Sequence, residues 1–213
     1  LDTSTATNTV QWLSDRELAE ILDELPRRPM LAGQDGLRLS LAGAQDKLPI
    51  VYADGRIGLP LHNTPSTHIL KPAISLAPDS VFNEAFCLAL AKKIGINAVA
   101  ARIEQTSGKQ YLLVARYDRQ KNKAGNTHRL HQEFCQALGA DPHRKYQNEG
   151  GPGLPECFDL LRKATRPSAP HILQLLDYVI FNALIGNHDA HAKNFSLLYA
   201  NKVPVLAPLY DAL

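Results

Sequence analysis

Asn187-His188-Asp189-Ala190-His191-Ala192-Lys193-Asn194, with Tyr210-Asp211 a short way downstream, is the stretch on which the reading of this chain turns. Asp189 and Asn194 are five residues apart, and Asp211 follows Asn194 by seventeen. Ahead of the motif, residues 171–185 (HILQLLDYVIFNALI) form a long apolar run. Leu173, Leu176, Ile180, Ala183 and Leu184 recur in it at helical spacing. The spacing predicts a buried helix that ends at Gly186, with Ser168 and Pro170 marking its start. Behind the motif, Phe195–Tyr199 and Val203–Leu206 read as strands joined by the turn-prone Ala200-Asn201-Lys202. A buried helix feeding a polar loop fixes that loop, and the hairpin brings Asp211 back to it.

Two carboxylates and an amide in that order suit phosphoryl transfer. The chemistry needs one carboxylate beside the acceptor hydroxyl, here Asp189. It also needs an amide and a second carboxylate, here Asn194 and Asp211, to hold Mg²⁺ against the phosphates. Three plainer readings stand beside it, one being that the proline-flanked Asp211 is only a turn residue. Asp and Asn in a polar loop can simply cap and turn the backbone. His188, Asp189 and His191 could instead ligate a metal, as in a metal-dependent phosphohydrolase. That site would need further His or Asp ligands, and the other histidines show no matching spacing.

Composition sets outer bounds. At 213 residues the chain can bury one sizeable core or two small lobes. A net charge of +2 leaves no electrostatic footprint for nucleic acid. No apolar run reaches transmembrane length, and no basic-then-apolar leader is present. Cys87, Cys135 and Cys157 are odd in number and lack metal-ligand spacing, so free thiols are expected, Cys87 in a helix. Together these lead to the expectation of a cytoplasmic protein, away from membranes.

The front half alternates strands around one helix. Ser14 and Glu17 have capping-box spacing, and a helix is expected from there to Leu25, before Pro26. Strands are expected at 37–41, 48–52, 56–60, 67–72, 98–104 and 110–116. Between them, residues 81–94 (VFNEAFCLALAKKI) read as a helix with Phe82, Ala85, Phe86, Ala89 and Leu90 on one face, closed by Gly95. From residue 131 the pattern turns mostly helical, interrupted by the glycine-rich 148–153. The expectation is an α+β, two-lobed, protein-kinase-like fold. In it, 1–36 is an N-terminal linker and helix, 37–116 a strand-rich lobe, and 117–213 a partial helical lobe holding the catalytic loop. Lys71 at a strand end and Glu84 in the following helix match the phosphate-contacting lysine and its glutamate partner. Ser40-Leu41-Ala42-Gly43-Ala44-Gln45-Asp46-Lys47 offers small residues whose backbone amides could approach phosphates, though one glycine is also what an ordinary hairpin turn requires.

SLAGAQDK, THILKP, NEAF, ARYDR, RLHQEFCQALG, KYQNEGGPG, NHDAHAKNFS and PLYD, in that order from about Leu37 to Leu213, together resemble the HipA family of serine/threonine kinase toxins from bacterial toxin–antitoxin pairs. The resemblance implies ATP and Mg²⁺ as cofactors and a serine in a protein as acceptor, with aminoacyl-tRNA synthetases the substrate class. It implies a small HipB-like DNA-binding antitoxin as partner. Asp189 then takes the role of base, with Lys193 beside it in the catalytic set, and Asn194 and Asp211 bind metal. Lys71 meets the ATP phosphates and pairs with Glu84. Ala42, Gly43, Ala44, Gln45, Lys47, Ala115, Tyr117, Asp118 and His191 complete the ATP set, with Ala115–Asp118 the hinge that meets adenine and ribose. Ser40 is the implied autophosphorylation site. Family members are about twice as long, so this chain reads as a fragment. Asp189, His191 and Asn194 also fit a small-molecule phosphotransferase of the aminoglycoside-kinase kind. A nucleotide-binding module without turnover is the non-enzymatic alternative.

Overall fold

The structure, a computed structural model, describes residues 9–26, 46–121, 127–141, 146–199 and 203–213. The chain divides into two compact units. One comprises Leu1–Ala85 with Ala100–Arg116, the other Phe86–Val99 with Tyr117–Leu213. The strands expected at 37–41 and the segment from Ser40 to Gln45 lie outside the described residues, as does the turn Ala200-Asn201-Lys202.

The first unit is built on a six-stranded antiparallel sheet. Its strands are β1 (Thr9–Trp12), β2 (Leu48–Ala53), β3 (Arg56–Leu61), β4 (His68–Pro72), β5 (Ala101–Thr106) and β6 (Lys109–Ala115), in the order β1-β3-β2-β4-β6-β5. The Asp54-Gly55 turn joins β2 to β3, with both residues at positive φ, the left-handed conformation that Asp tolerates and Gly favours. Strand β1 was not legible in the sequence. It is an edge strand, mostly exposed, so it lacks the in–out alternation that marks a half-buried strand. Helix α1 (Asp15–Glu24) opens with the expected capping box: the Glu17 carboxylate accepts from the Ser14 amide at 2.8 Å, and the Ser14 hydroxyl accepts from the Glu17 amide at 3.3 Å. Leu18, Leu22 and Leu25 of this segment pack against Leu48, Ile50, Leu70 and Leu113 of the sheet.

Helix α2 (Ser80–Lys93) follows β4 and ends near Gly95, which has a φ of 90°. Its buried face is not the one expected. Val81, Glu84, Cys87, Leu88 and Ala91 are inside, whereas Phe82 and Phe86 are exposed. The cause is polar. Glu84 turns inward to meet Lys71 on β4 at 2.6 Å, and residues three, four and seven positions on follow it into the interior.

The second unit contains β7 (Arg119–Lys121), β8 (Thr127–Arg129), β9 (His131–Glu133), α3 (Phe134–Ala137), α4 (Leu154–Ala164), α5 (Ala169–Leu184), β10 (Ser196–Leu198) and β11 (Val205–Leu206). The expected hairpin is present, β10 pairing antiparallel with β11. It is joined on its other edge by β9, where helix was expected from residue 131. Strands of three residues carry too little periodicity to be read ahead of their partners. Cys87, Cys135 and Cys157 are buried free thiols, and burial pushes the Cys157 thiol up to about 12. Among the described residues no helix is long and apolar enough to cross a membrane.

Helix α5 begins after Ser168 and ends at Gly186, which has a φ of 73°. Here too the expected face is the wrong one. Leu173, Leu176, Ile180 and Leu184 are exposed, while Leu175, Tyr178, Phe181 and Asn182 are buried. The helix is apolar nearly all round, so periodicity alone does not choose its orientation. Its polar groups choose it. The Tyr178 hydroxyl lies 2.8 Å from the Asn97 carbonyl and 3.2 Å from that of Ala207. A test follows in this 213-residue chain. Leu175→Ala is expected to cost about 2–5 kcal/mol, and Leu176→Ala no more than about 0.5 kcal/mol, in urea unfolding. Equal losses would refute the assigned face.

Candidate functional site

The second unit gathers the motif around one side chain, Asn187. Its backbone amide donates to the Asn182 carbonyl at 2.9 Å, closing the end of α5. Its side-chain amide donates to Asn182 Oδ1 at 2.8 Å and to the Asp211 carbonyl at 3.0 Å. Its Oδ1 accepts from the Asp189 amide at 3.2 Å. Asn182 is itself buried and donates to the Tyr178 carbonyl at 2.9 Å. One amide therefore links the helix end, the loop carrying Asp189 and the strand exit carrying Asp211. Asp211 is held at a φ of 53°, a left-handed conformation that costs most residues more than it costs Asp.

Asn194 closes a single 3₁₀ turn. Its amide donates to the His191 carbonyl at 2.9 Å, and its Oδ1 accepts from the His191 amide at 3.0 Å. Its Nδ2 lies 3.4 Å from Asp211 Oδ2, so the two candidate metal ligands are adjacent. Below them, the Tyr210 hydroxyl donates to the Lys193 carbonyl at 2.8 Å and lies 2.8 Å from Ser196 Oγ. Burial holds the Tyr210 hydroxyl well above its ordinary pKa, so it stays protonated and can donate. The Tyr210 ring stacks on Tyr117, with centroids 5.7 Å apart.

Asp189 differs from these neighbours: 65% of its side chain is exposed. A carboxylate meant to meet an incoming hydroxyl has to be reachable. The Tyr146 hydroxyl donates to Asp189 Oδ1. The Tyr146 ring meets His191 edge-on at 5.3 Å, and His191 Nε2 lies 3.9 Å from Asp189 Oδ1, too far for a hydrogen bond. Among the described residues no three His, Cys, Asp or Glu side chains group as a metal cluster. Among the described residues the histidine-ligand alternative therefore lacks the set it needs. The Asn194 amide oxygen and the Asp211 carboxylate are hard donors of the kind that suit Mg²⁺, with Nδ2 rather than Oδ1 of Asn194 turned toward Asp211. The Asn194 oxygen keeps a second lone pair beyond the one engaged by His191.

Tyr117 and Asp118 were expected at adenine and ribose. The Asp118 carboxylate is buried and accepts from Arg119 Nη1 at 2.7 Å, with His131 Nδ1 also at 2.7 Å. That carboxylate latches β7 to β9.

The first unit holds Lys47, Lys71, Glu84 and Ala115. Lys71 and Glu84 form an ion pair of 2.6 Å with side chains 5% and 2% exposed. Ala115 closes β6 by donating to the Ala100 carbonyl at 2.8 Å, and Lys47 is buried just before β2. Ser40, Ala42, Gly43, Ala44 and Gln45 lie outside the described residues.

Residues 39–213 match the family model of the HipA-like C-terminal domain. The chain belongs to that family. It is 50% identical over 202 residues to Y4mE of Sinorhizobium fredii, a protein that carries a kinase name, covering 94% of this chain and 48% of the relative. It is 30% identical over 209 residues to the serine/threonine-protein kinase toxin HipA of Shewanella oneidensis, covering 92% and 47%. The chain thus spans about half the length of the curated relatives it matches. Shewanella oneidensis HipA, solved with HipB and its operator DNA, superposes with a TM-score of 0.79 at 27% identity over the whole of this chain and 52% of that one. The Helicobacter pylori kinase CtkA, at 14% identity and a TM-score of 0.55, shares the fold. The HipA-like, kinase-like α+β fold expected from the sequence is the one found.

Asn187, Asn182 and Tyr146 were not singled out in the sequence. Two asparagines flanking a helix-ending glycine are a local signal that could have been used for the first two. Tyr146 lies 43 residues from its partner, and nothing local marks it. In the first unit, removing either partner of the Lys71–Glu84 pair takes the 2.6 Å ion pair away from a buried charge. Lys71→Met or Glu84→Leu alone is expected to cost about 3–5 kcal/mol, and the two together less than either. A double variant as unstable as the sum of the singles, by urea unfolding, would remove the pair's coupling.

Proposed function

We propose that the full-length protein containing this chain is an ATP-dependent serine/threonine protein kinase of the HipA type. The observation that carries the reading is the Asn187 amide, which ties the Asp189 loop to the Asp211 turn, where Asn194 and Asp211 lie side by side. In this reading Asp189 orients the acceptor serine and takes its proton. Lys193 belongs to the catalytic set, and His191 to the ATP set. Asn194 and Asp211 hold Mg²⁺, which when bound neutralises the phosphate oxygens. Lys71, oriented by Glu84, offers its ammonium to the phosphates, as do Lys47 and the backbone of Ala42, Gly43, Ala44 and Gln45. Ala115, Tyr117 and Asp118 belong to the hinge that meets adenine and ribose. The acceptor is a serine in a protein, with an aminoacyl-tRNA synthetase as the class, and Ser40 is modified by the enzyme itself. The partner is a HipB-like antitoxin. Family membership, and the HipB-bound assembly of the Shewanella relative, support these assignments.

The base is tested with Asp189→Asn in the full-length protein. Turnover is expected to fall by about two to four orders of magnitude, the worth of a positioned general base, with ATP binding retained. Labelled phosphate appearing on protein at more than a tenth of the parental rate would refute the role. Label arriving only on small hydroxylated molecules would point to the aminoglycoside-kinase type.

The metal is tested by titration. Nucleotide affinity is expected to fall with a chelator and to return with Mg²⁺ but not Zn²⁺. Asn194→Ala should blunt the Mg²⁺ response. Strong Zn²⁺ binding without nucleotide would overturn the assignment.

A further inference from the structure

The two candidate metal ligands come from different stretches of chain, so something has to fix their separation. Asn194 ends the 3₁₀ turn Ala192–Asn194, and Asp211 follows β11. Asn187 holds Asp211 by its carbonyl and Asp189 by its amide. Neither of those bonds reaches Asn194.

Tyr210 does reach it. This residue directly precedes Asp211, and its hydroxyl meets the chain on either side of Asn194. The hydroxyl donates to the carbonyl of Lys193, the residue before, at 2.8 Å. It lies 2.8 Å from Oγ of Ser196, which stands just after. A phenol carries a single proton. With that proton committed to Lys193, the Ser196 hydroxyl is the donor of the second bond. One oxygen therefore clamps the segment that bears Asn194, and the residue carrying that oxygen adjoins Asp211.

Both ends of this connection are firm. Ser196 is buried, stands opposite Glu133 of β9, and its carbonyl accepts from the Ala207 amide at 2.8 Å. On the other side, the Leu209 amide donates to the Asn97 carbonyl at 2.8 Å, and the Leu209 carbonyl accepts from the Val99 amide at 2.9 Å. The backbone entering Tyr210 is thus pinned. Between the two ends lies an aromatic ring with few torsions of its own. It stacks on Tyr117 with an interplanar angle of 24°. Phenylalanine would fill the same space and keep the stack, but it would not grip residues 193 and 196.

We propose that Tyr210 is a positioning residue for the metal pair, its ring the strut and its hydroxyl the clamp that set Asn194 beside Asp211, where Nδ2 and Oδ2 lie 3.4 Å apart. The proposal rests on the kinase reading, in which those two residues hold Mg²⁺. In this role Tyr210 touches neither the metal nor a phosphate. Nucleotide binding without metal is then indifferent to the hydroxyl, whereas the metal requirement is not.

The test uses the full-length protein, a non-hydrolysable ATP analogue and Mg²⁺, with calorimetric affinity as the readout. Two quantities are measured: analogue affinity in chelator, and the Mg²⁺ concentration at which affinity is halfway to its metal-bound value. Tyr210→Phe is expected to raise that Mg²⁺ midpoint by about two- to tenfold, the usual worth of one hydrogen bond, with affinity in chelator unchanged. Ser196→Ala removes one of the two bonds and is expected to raise the midpoint by a smaller factor. A tyrosine that only stabilises the fold would lower the melting temperature and the fraction of protein that binds, and leave the midpoint unmoved. That outcome overturns the proposal. So does an equal loss of affinity with and without Mg²⁺, which would set Tyr210 against the nucleotide itself. If Tyr210→Phe does not fold, an unmoved midpoint in Ser196→Ala overturns it alone. Wild-type protein whose analogue affinity ignores Mg²⁺ overturns the metal assignment of Asn194 and Asp211, and this proposal with it.

Discussion

The Asn187 side chain is the constraint on which the second unit's geometry depends. An amide can donate twice and accept twice, and this one does both kinds of work at once. It donates to Asn182 and to the Asp211 carbonyl, and it accepts from the Asp189 amide. No other side-chain type of that size carries donors and an acceptor at fixed angles. Aspartate would lose the bonds to Asn182 Oδ1 and the Asp211 carbonyl, and would set its charge against them. Because Asn182 is buried and bonded to α5, the loop inherits the rigidity of the helix. Asp211 can then keep a left-handed backbone conformation that it would not hold alone.

The first unit solves a similar problem with charge. Lys71 and Glu84 are almost wholly buried and paired. A buried pair of this kind adds little net stability over a well-packed apolar pair, but it strongly penalises any arrangement that separates the two charges. It therefore fixes how α2 is rotated about its axis. Both units use a buried polar contact to set orientation and apolar packing to supply stability.

That division of labour explains which features could be read from the sequence. The existence of α1, α2 and α5 followed from periodicity, capping and terminal glycines, and the sheet strands from 48 to 115 from short apolar runs between turns. The spacing of Asp189, Asn194 and Asp211 was visible because all three lie close together in the chain. The buried faces of α2 and α5 were not, because both helices carry apolar residues on more than one side. The choice between sides was made by Glu84 and by Tyr178, whose partners are far away in sequence. Strands β7 to β9 and the Tyr146 contact were hidden for the same reason. Their meaning lies in a neighbour that the local sequence does not name.

The difference in burial between Asp189 and Lys71 bears on how such a chain could lose its chemistry over generations. Asp189 is exposed, and its loop is held through its backbone amide by Asn187 whatever its side chain, so a descendant could replace it and remain folded. Lys71 has less freedom, since its loss removes the 2.6 Å ion pair of the buried Glu84. A lineage drifting from enzyme toward silent scaffold would be expected to shed the aspartate early and to keep the lysine–glutamate pair. A retained lysine in a relative is then poor testimony that the relative still turns over ATP.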